Sequence, residues 1–112
     1  MMNCQELETA LRVGTAFVTL IFNDGGYGLI EWKQENHFGK GRSSFVHFGN
    51  PDFVKLAESM GLKGYRVEDA TELVPILKEA LAQDVPAVID CPVDYRENIR
   101  FTQKAGELNC VL

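Results

Sequence analysis

The sequence is poor in cysteine. Its 112 residues contain three cysteines, Cys4, Cys91 and Cys110, which are far apart in the chain and odd in number. This pattern argues against a disulfide framework and offers no spacing typical of a metal site. Reduced thiols are usual in the cytoplasm, so we expect a cytoplasmic protein. Cys91 lies in an apolar predicted strand and is expected to be a small core residue.

Excess positive charge and long apolar runs are also lacking. The formal net charge is −5, so a nucleic-acid partner is not expected. No apolar run approaches the ~20 residues that a membrane-spanning helix needs, and no secretory signal opens the chain, so no membrane partner is expected. Hydrophobic residues make up 46% of the chain and charged residues 24%, which is typical of one globular domain at this length.

Hydrophobic periodicity and turn residues predict alternating helices and strands. The predicted elements are a helix capped by Asn3 that ends at 13–15, a strand at 16–22, a short helix at 29–34, a loop at 36–49, a helix started by Asn50-Pro51-Asp52 and stopped by Gly61, a strand at 64–67, a helix from the capping box Asp69–Glu72 to about Gln83, and a strand at 87–91. Pro75 predicts a kink in the last helix or a start nearer Thr71.

This order, α-β-α-α-β-α-β, predicts an α/β fold with an open parallel sheet and helices on both faces. Only three strands are visible, and three short parallel strands leave exposed edges. We therefore expect residues 1–94 to be the second half of a larger domain, followed by a C-terminal tail at 95–112.

The most informative segment is the apolar run 17–22 with the residues that follow it, Asn23-Asp24-Gly25-Gly26-Tyr27-Gly28. The run predicts a strand buried on both faces, and open α/β sheets bind ligands at the carboxyl ends of such strands. Asp24 offers a hard oxygen ligand for Mg²⁺, and the glycines allow the backbone to approach a diphosphate closely. Asn-Asp-Gly-Gly is also an ordinary turn, and these residues alone leave both interpretations open.

Four separated blocks resemble, in the same order, the C-terminal part of acetolactate synthases of the catabolic type, which depend on thiamine diphosphate and do not use FAD. The blocks are Asn3–Ala10, Phe22–Ile30, Asn50–Gly61 and Pro86–Asp94. The resemblance implies part of a thiamine-diphosphate-binding (pyrophosphate) domain with thiamine diphosphate and Mg²⁺ as cofactors. It also implies pyruvate as the substrate of the parent enzyme, which condenses two pyruvates to acetolactate with loss of CO₂, and a homo-oligomer.

The resemblance also assigns site residues. Asp24 takes the position of a metal ligand, and the backbone carbonyl of Gly26 is the expected companion ligand. The cofactor-binding residues are expected to be Asn23, Gly25, Tyr27, Gly28, Leu29 and Ile30, and no catalytic residue is expected. In the family, the cofactor-binding motif has two parts, a Gly-Asp-Gly segment and the later Asn-Asp pair, and a glutamate of another domain activates the cofactor. The Gly-Asp-Gly segment and that domain are absent from this sequence, so we expect a truncated fragment that is inactive alone. Family members with FAD carry a tryptophan at the position that aligns with Lys33. Trp32 lies one position before it, and this difference favours the catabolic type.

Alternatives remain for the chain and its residues. Asp24 could be a simple turn residue and Tyr27 a half-buried ring, while His37 and His47 are expected to be surface residues. The whole chain could be a non-catalytic, self-associating α/β remnant. It could also be a small binding module of the flavodoxin type, which would need a phosphate loop or an acidic cluster after a first strand, and no such strand is predicted.

Overall fold

The structure is a computed structural model that describes residues 3–95. The described residues form two compact units: one contains residues 3–23 and 50–92, and the other contains residues 24–49 and 93–95. The predicted tail at 95–112 lies outside this part except for its first residue, so the boundary stays a prediction. No helix among residues 3–95 is both long and apolar enough to cross a lipid bilayer.

The helices and strands follow the predicted order, with one added 3₁₀ turn. The elements are α1 (Glu6–Val13), β1 (Val18–Asn23), α2 (Gly28–Phe38), α3 (Phe53–Ser59), β2 (Lys63–Arg66), the 3₁₀ turn Ala70–Glu72, α4 (Leu73–Leu81) and β3 (Ala87–Pro92).

Three parallel strands form the sheet of the first unit, in the spatial order β1-β3-β2. In the middle strand, Ile89 pairs with Leu20 of β1 and with Tyr65 of β2. The carboxyl ends of all three strands therefore lie at the same edge of the sheet. Within the described residues, β1 and β2 each have one unpaired side.

Alternate side chains of β3 pack on opposite faces of the sheet. Val88 packs with Phe53 and Ala57 of α3, and leucines of α1 join this cluster. Ile89 belongs to a second cluster with Ala80 of α4. The period-2 alternation of a strand thus separates two cores, one beneath α1 and α3 and one beneath α4. The predicted open parallel sheet with helices on both faces is confirmed.

The strand buried on both faces is β3, whereas the sequence predicted this for β1. Every residue of β3 except Pro92 is buried. β1 is mostly half-buried, and Phe22 is 60% exposed. The reason is that helix α3 covers one face of the middle strand and α4 covers the other, whereas β1 at the edge of the sheet is covered less completely. Cys91 is buried in β3 as predicted, and burial raises the pKa of its thiol.

Two helix boundaries differ from the prediction. α1 begins at Glu6, and Asn3 does not cap it. Asn3 has a positive φ of 66°, and its carbonyl accepts a hydrogen bond from the Glu6 N–H in a turn before the helix. A capping side chain needs an extended backbone at that position. α2 extends to Phe38 and so includes residues that were predicted as loop.

The start of α3 is set by Asp52. Its carboxylate accepts hydrogen bonds from the N–H groups of Val54 and Lys55, which makes it the N-cap. The helix was predicted to start at Asn50-Pro51-Asp52, and Pro51 lies directly before the cap. It still favours a helix start here, because a residue without an N–H is tolerated where no helical hydrogen bond is needed.

The capping box before α4 is confirmed. Asp69 accepts from the Thr71 N–H, and the Glu72 carboxylate accepts from the Asp69 N–H. Pro75 predicted either a kink in the last helix or a start nearer Thr71. The second expectation is met, because the 3₁₀ turn Ala70–Glu72 begins the helical segment. Pro75 lies in the first turn of α4, where its missing N–H leaves no helical hydrogen bond unmade.

The N-cap of α3 predicts an acid-dependent loss of stability. The hydrogen bond from the Lys55 N–H, with the charges of Arg66 and Lys55, holds the pKa of Asp52 below its usual value of 3.8. Because the folded-state pKa is lowered, the stabilisation is present above pH 3.8 and is lost as the pH falls through the lower folded-state value. We expect Asp52→Ala to lower the thermal unfolding midpoint near neutral pH, with the difference from wild type shrinking in acid.

Asp52→Asn is the matched control, since its amide oxygen can still accept the backbone hydrogen bonds. Its unfolding midpoint should lie between those of wild type and Asp52→Ala near neutral pH. A difference between wild type and Asp52→Ala that stays constant from neutral to acid pH would contradict the role of the charge.

Candidate functional site

The glycine turn of the second unit is held by a short antiparallel pairing. Gly26 forms an isolated bridge with His47. On one side of this pair, the Tyr27 N–H donates to the Val46 carbonyl at 2.8 Å. On the other side, the Phe48 N–H donates to the carbonyl of the residue before Gly26 at 3.3 Å. The pairing therefore determines the direction of the backbone through the turn.

The predicted metal ligands Asp24 and Gly26 lie on the same side of this turn. In an antiparallel pair of this type, the N–H and C=O of the central residue point away from the partner strand. The Gly26 N–H accordingly donates to Asp24 Oδ1 at 3.1 Å rather than to the residues around His47. In an extended residue the carbonyl points to the same side as the N–H, which directs the Gly26 carbonyl toward the side of the Asp24 carboxylate.

The glycines of the turn are required by geometry. Gly25 has a φ of 73°, a left-handed conformation that favours glycine. A Cβ on Gly26 would lie 2.6 Å from the Val46 carbonyl oxygen, which is too close for any side chain. A Cβ on Gly28 would overlap Asp24 Oδ2. The backbone can approach the carboxylate this closely only because Gly28 lacks a side chain.

The carboxylate of Asp24 thus lies beside the first residue of α2. Gly28 begins that helix, whose N-terminal N–H groups carry partial positive charge. Asp24 itself is half-buried. A carboxylate, a backbone carbonyl and the first N–H groups of a helix can together hold a divalent cation and the phosphate oxygens attached to it.

An exposed apolar surface follows the turn. Tyr27, Leu29 and Ile30 are 55%, 73% and 48% exposed. The Tyr27 ring contacts the Phe48 ring at a centroid distance of 4.6 Å. Tyr27 is therefore supported on one side and open on the other, an arrangement suited to contact with a bound molecule.

Asn23, the remaining predicted site residue, ends β1 in the first unit. Its side-chain N–H donates to Asp90 Oδ1 at 3.0 Å, and its side-chain oxygen accepts from Asn50 Nδ2 at 2.7 Å. The sequence reasoning did not single out Asp90, because a lone aspartate within an apolar strand has no motif around it.

Sequence reasoning also missed the role of the segment 46–48, which it treated as loop. His47 is exposed as expected, but its Nε2 lies 2.9 Å from Glu31 Oε1. Val46 is 2% exposed, and its carbonyl accepts the hydrogen bond from the Tyr27 N–H. The short apolar-polar-apolar alternation at Val46, His47 and Phe48 was the available signal for an extended segment.

The protein ligands for a cation are few. Among residues 3–95, no group of three His, Cys, Asp or Glu side chains is placed to hold a metal ion. The turn contributes one carboxylate and one backbone carbonyl. Such a sparse set fits Mg²⁺, which keeps several waters and binds through one or two carboxylates together with phosphates. The residues present therefore fit a cation bound together with a diphosphate.

Comparison with known proteins gives the family. Residues 1–91 match the family described as thiamine pyrophosphate enzyme, C-terminal TPP binding domain. Acetolactate synthase from Bacillus subtilis is 39% identical over 111 residues, which are 95% of this chain and 19% of that protein. A catabolic acetolactate synthase from Raoultella terrigena is 41% identical over 93 residues, 83% of this chain and 16% of that protein. The predicted resemblance to acetolactate synthases is confirmed.

A solved structure of another thiamine-diphosphate-dependent enzyme supports the assignment to this family. A thiamine-diphosphate-dependent 4-hydroxybenzoylformate decarboxylase from Rhodococcus jostii superimposes with a TM-score of 0.71 and 30% sequence identity, over 81% of this chain and 17% of that chain. This chain thus spans about a fifth of the length of these relatives. The match over residues 1–91 shows that the chain belongs to the thiamine pyrophosphate enzymes and carries their C-terminal TPP-binding domain.

Proposed function

We propose that this chain forms the Mg²⁺–thiamine-diphosphate-binding part of an acetolactate synthase, which condenses two pyruvates to acetolactate with loss of CO₂. The observation that carries the proposal is the convergence of the Asp24 carboxylate and the Gly26 backbone on one side of the glycine turn. The relatives named acetolactate synthase support the choice of reaction. A cytoplasmic location is part of the proposal.

Each residue of the turn has a proposed task. Asp24 and the Gly26 carbonyl bind the cation, while Gly25 and Gly28 allow the backbone to approach the diphosphate. Asn23 supports the strand end before the turn. Tyr27, Leu29 and Ile30 line the cofactor and substrate side. When bound, thiamine diphosphate supplies the electron sink that decarboxylation of a 2-keto acid needs.

Substrate selection is proposed to involve the start of α2. Trp32 is half-buried, and its Nε1 is buried without a hydrogen-bond partner among the described residues. By the resemblance to acetolactate synthases, enzymes that contain FAD have a tryptophan at the position that Lys33 occupies here. This difference favours the catabolic type, whose second substrate is pyruvate.

The first prediction of this proposal concerns the carboxylate. Asp24→Ala removes a cation ligand, and Gly28→Ala places a methyl group where Asp24 Oδ2 lies. We expect both variants to weaken Mg²⁺-dependent binding of thiamine diphosphate by about tenfold or more, as loss of a ligand or its support commonly does. Titration calorimetry on the 112-residue chain, with and without Mg²⁺, measures this.

Gly49→Ala is the matched control, because a Cβ on Gly49 meets no atom within 4 Å. It should bind like wild type. Strong binding by wild type that is equally strong in Asp24→Ala would remove Asp24 from the site.

The second prediction is that the chain has no acetolactate synthase activity alone. Its 112 residues contain no Gly-Asp-Gly segment, which by resemblance to the family supplies a further metal ligand, and the chain spans only 19% of the Bacillus subtilis relative. Purified protein incubated with pyruvate, Mg²⁺ and thiamine diphosphate should give no acetoin after acid treatment. Turnover that persists after removal of host enzymes would overturn this expectation.

A non-catalytic, self-associating role is the second candidate, and the sheet edges favour it. Within the described residues, β1 and β2 each pair on one side only. Phe22 of β1 is 60% exposed, and Phe17, directly before the strand, is 40% exposed. Unpaired backbone groups beside apolar side chains favour pairing with another chain.

The corresponding prediction is a homo-oligomer in solution. Light scattering at micromolar concentration should give a mass above the 12.5 kDa of one chain, with two-fold dimers the commonest form. Phe22→Lys should shift the protein toward monomer because it places a charge at the edge, whereas Val13→Lys on α1, equally exposed, should not. A cooperatively folded wild-type monomer would rule out association through the edge.

A further inference from the structure

Asp90 is the buried charged residue of the sheet. It lies in the middle strand β3, where it pairs in register with Ile21 of β1 and Arg66 of β2, and its side chain is 2% exposed. A carboxylate can remain buried only when its oxygens are hydrogen-bonded or paired with a charge. Asp90 Oδ2 accepts from Arg66 Nε at 3.2 Å and from Arg66 Nη2 at 3.0 Å.

The other carboxylate oxygen of Asp90 determines which way the Asn23 amide faces. An ionised carboxylate can only accept hydrogen bonds, so the Asn23 NH₂ group must face Asp90 Oδ1, 3.0 Å away. The Asn23 oxygen then faces Asn50, whose Nδ2 donates to it at 2.7 Å. A turned-over Asn23 amide would place its oxygen against the carboxylate, which is repulsive.

Arg66 completes this arrangement and links it to α3. Its Nη2 also donates to Asp52 Oδ1 at 3.2 Å, the same carboxylate that caps the helix. Hydrogen bonding to Asp90 raises the pKa of the Arg66 guanidinium, which therefore stays charged. The side chain of Arg66 is 38% exposed, so the guanidinium remains in contact with water.

We propose that Asp90 is a positioning residue of the cofactor site, which orients the amide of Asn23 at the carboxyl end of β1. Asn23 directly precedes Asp24, the proposed cation ligand, so a fixed strand end limits the conformations open to the next residue. Asp90 acts through Asn23 and does not itself contact the cofactor. The functional part of this inference rests on the proposed function.

The experiment uses Asp90→Asn in the full 112-residue chain. The substituted amide has the same shape but offers one accepting oxygen in place of two. If that oxygen faces Arg66, its NH₂ group faces the Asn23 NH₂ group, and one of the two amides must turn or move away. The variant leaves no buried charge unpaired, because Arg66 keeps Asp52 and its contact with water.

The first measurement is hydrogen exchange at the Asn23 side-chain amide by NMR, with its signal assigned from its loss in Asn23→Ser. We expect exchange to be about tenfold faster in Asp90→Asn, because the acceptor that protects the amide is lost. Asp69→Asn is the matched control, since it makes the same chemical change at the capping box and should leave Asn23 unchanged. If Asp90→Asn does not fold, Asp90→Asn with Arg66→Gln replaces the ion pair by a neutral pair for the same measurement.

The second measurement is Mg²⁺-dependent binding of thiamine diphosphate by the same proteins. Residues that orient a ligand-bearing segment typically cost 10–100-fold in metal affinity when changed, so we expect about tenfold weaker binding in Asp90→Asn and none of this loss in Asp69→Asn. The thermal unfolding midpoint of each variant confirms that the protein compared is folded.

The outcomes separate the parts of the proposal. Faster Asn23 exchange together with weaker binding, in Asp90→Asn alone, supports it. Unchanged hydrogen exchange at the Asn23 amide in a folded Asp90 variant overturns it. Faster exchange in a variant that still binds thiamine diphosphate as tightly as wild type also overturns it. If wild type shows no Mg²⁺-dependent binding, the proposed function of this chain fails, and the exchange measurement by itself decides whether Asp90 orients Asn23.

Discussion

The first unit depends on one constraint, the burial of β3 between two parallel neighbours. Because β3 is covered on both faces and paired on both edges, its side chains must satisfy two cores at once. Val88 and Ile89 do this with apolar surface. Asp90 is the exception, and it can occupy this position only because Asn23 and Arg66, at the ends of the neighbouring strands, meet its oxygens.

A different constraint shapes the second unit, where close packing excludes side chains. Gly26 lies against the carbonyl of Val46, and Gly28 lies against the carboxylate of Asp24. With these two contacts, the Gly26 backbone and the Asp24 carboxylate lie on one side of the turn. The burial of β3 thus organises the first unit, whereas the absence of Cβ atoms organises the second. The first arrangement includes Asn23 at the end of β1, and the glycine turn begins at the next residue of the chain.

The strand and the turn of the candidate site were predictable because their signals are local, while the ligand roles of its residues stay predictions. The sequence Asn23-Asp24-Gly25-Gly26 follows an apolar run, and strand, turn and hard oxygen ligand can be inferred within a few residues. The partners of the site were not predictable in this way. His47 and Val46 are about twenty residues from Gly26 in the chain, and Asp90 is separated from Asn23 by 67 positions. Hydrophobic periodicity carries no information about such pairs.

By itself, the sequence determined the order of helices and strands, the capping box at Asp69, the glycine turn and the family resemblance. Each of these depends on residues close together in the chain or on their identities alone. Only the tertiary structure decided that β3, and not β1, is the central strand, and that Asp90 meets Asn23. The physical reason is that burial on both faces and the pairing of a buried charge are properties of a strand's neighbours in space, which are chosen by the packing of the whole sheet.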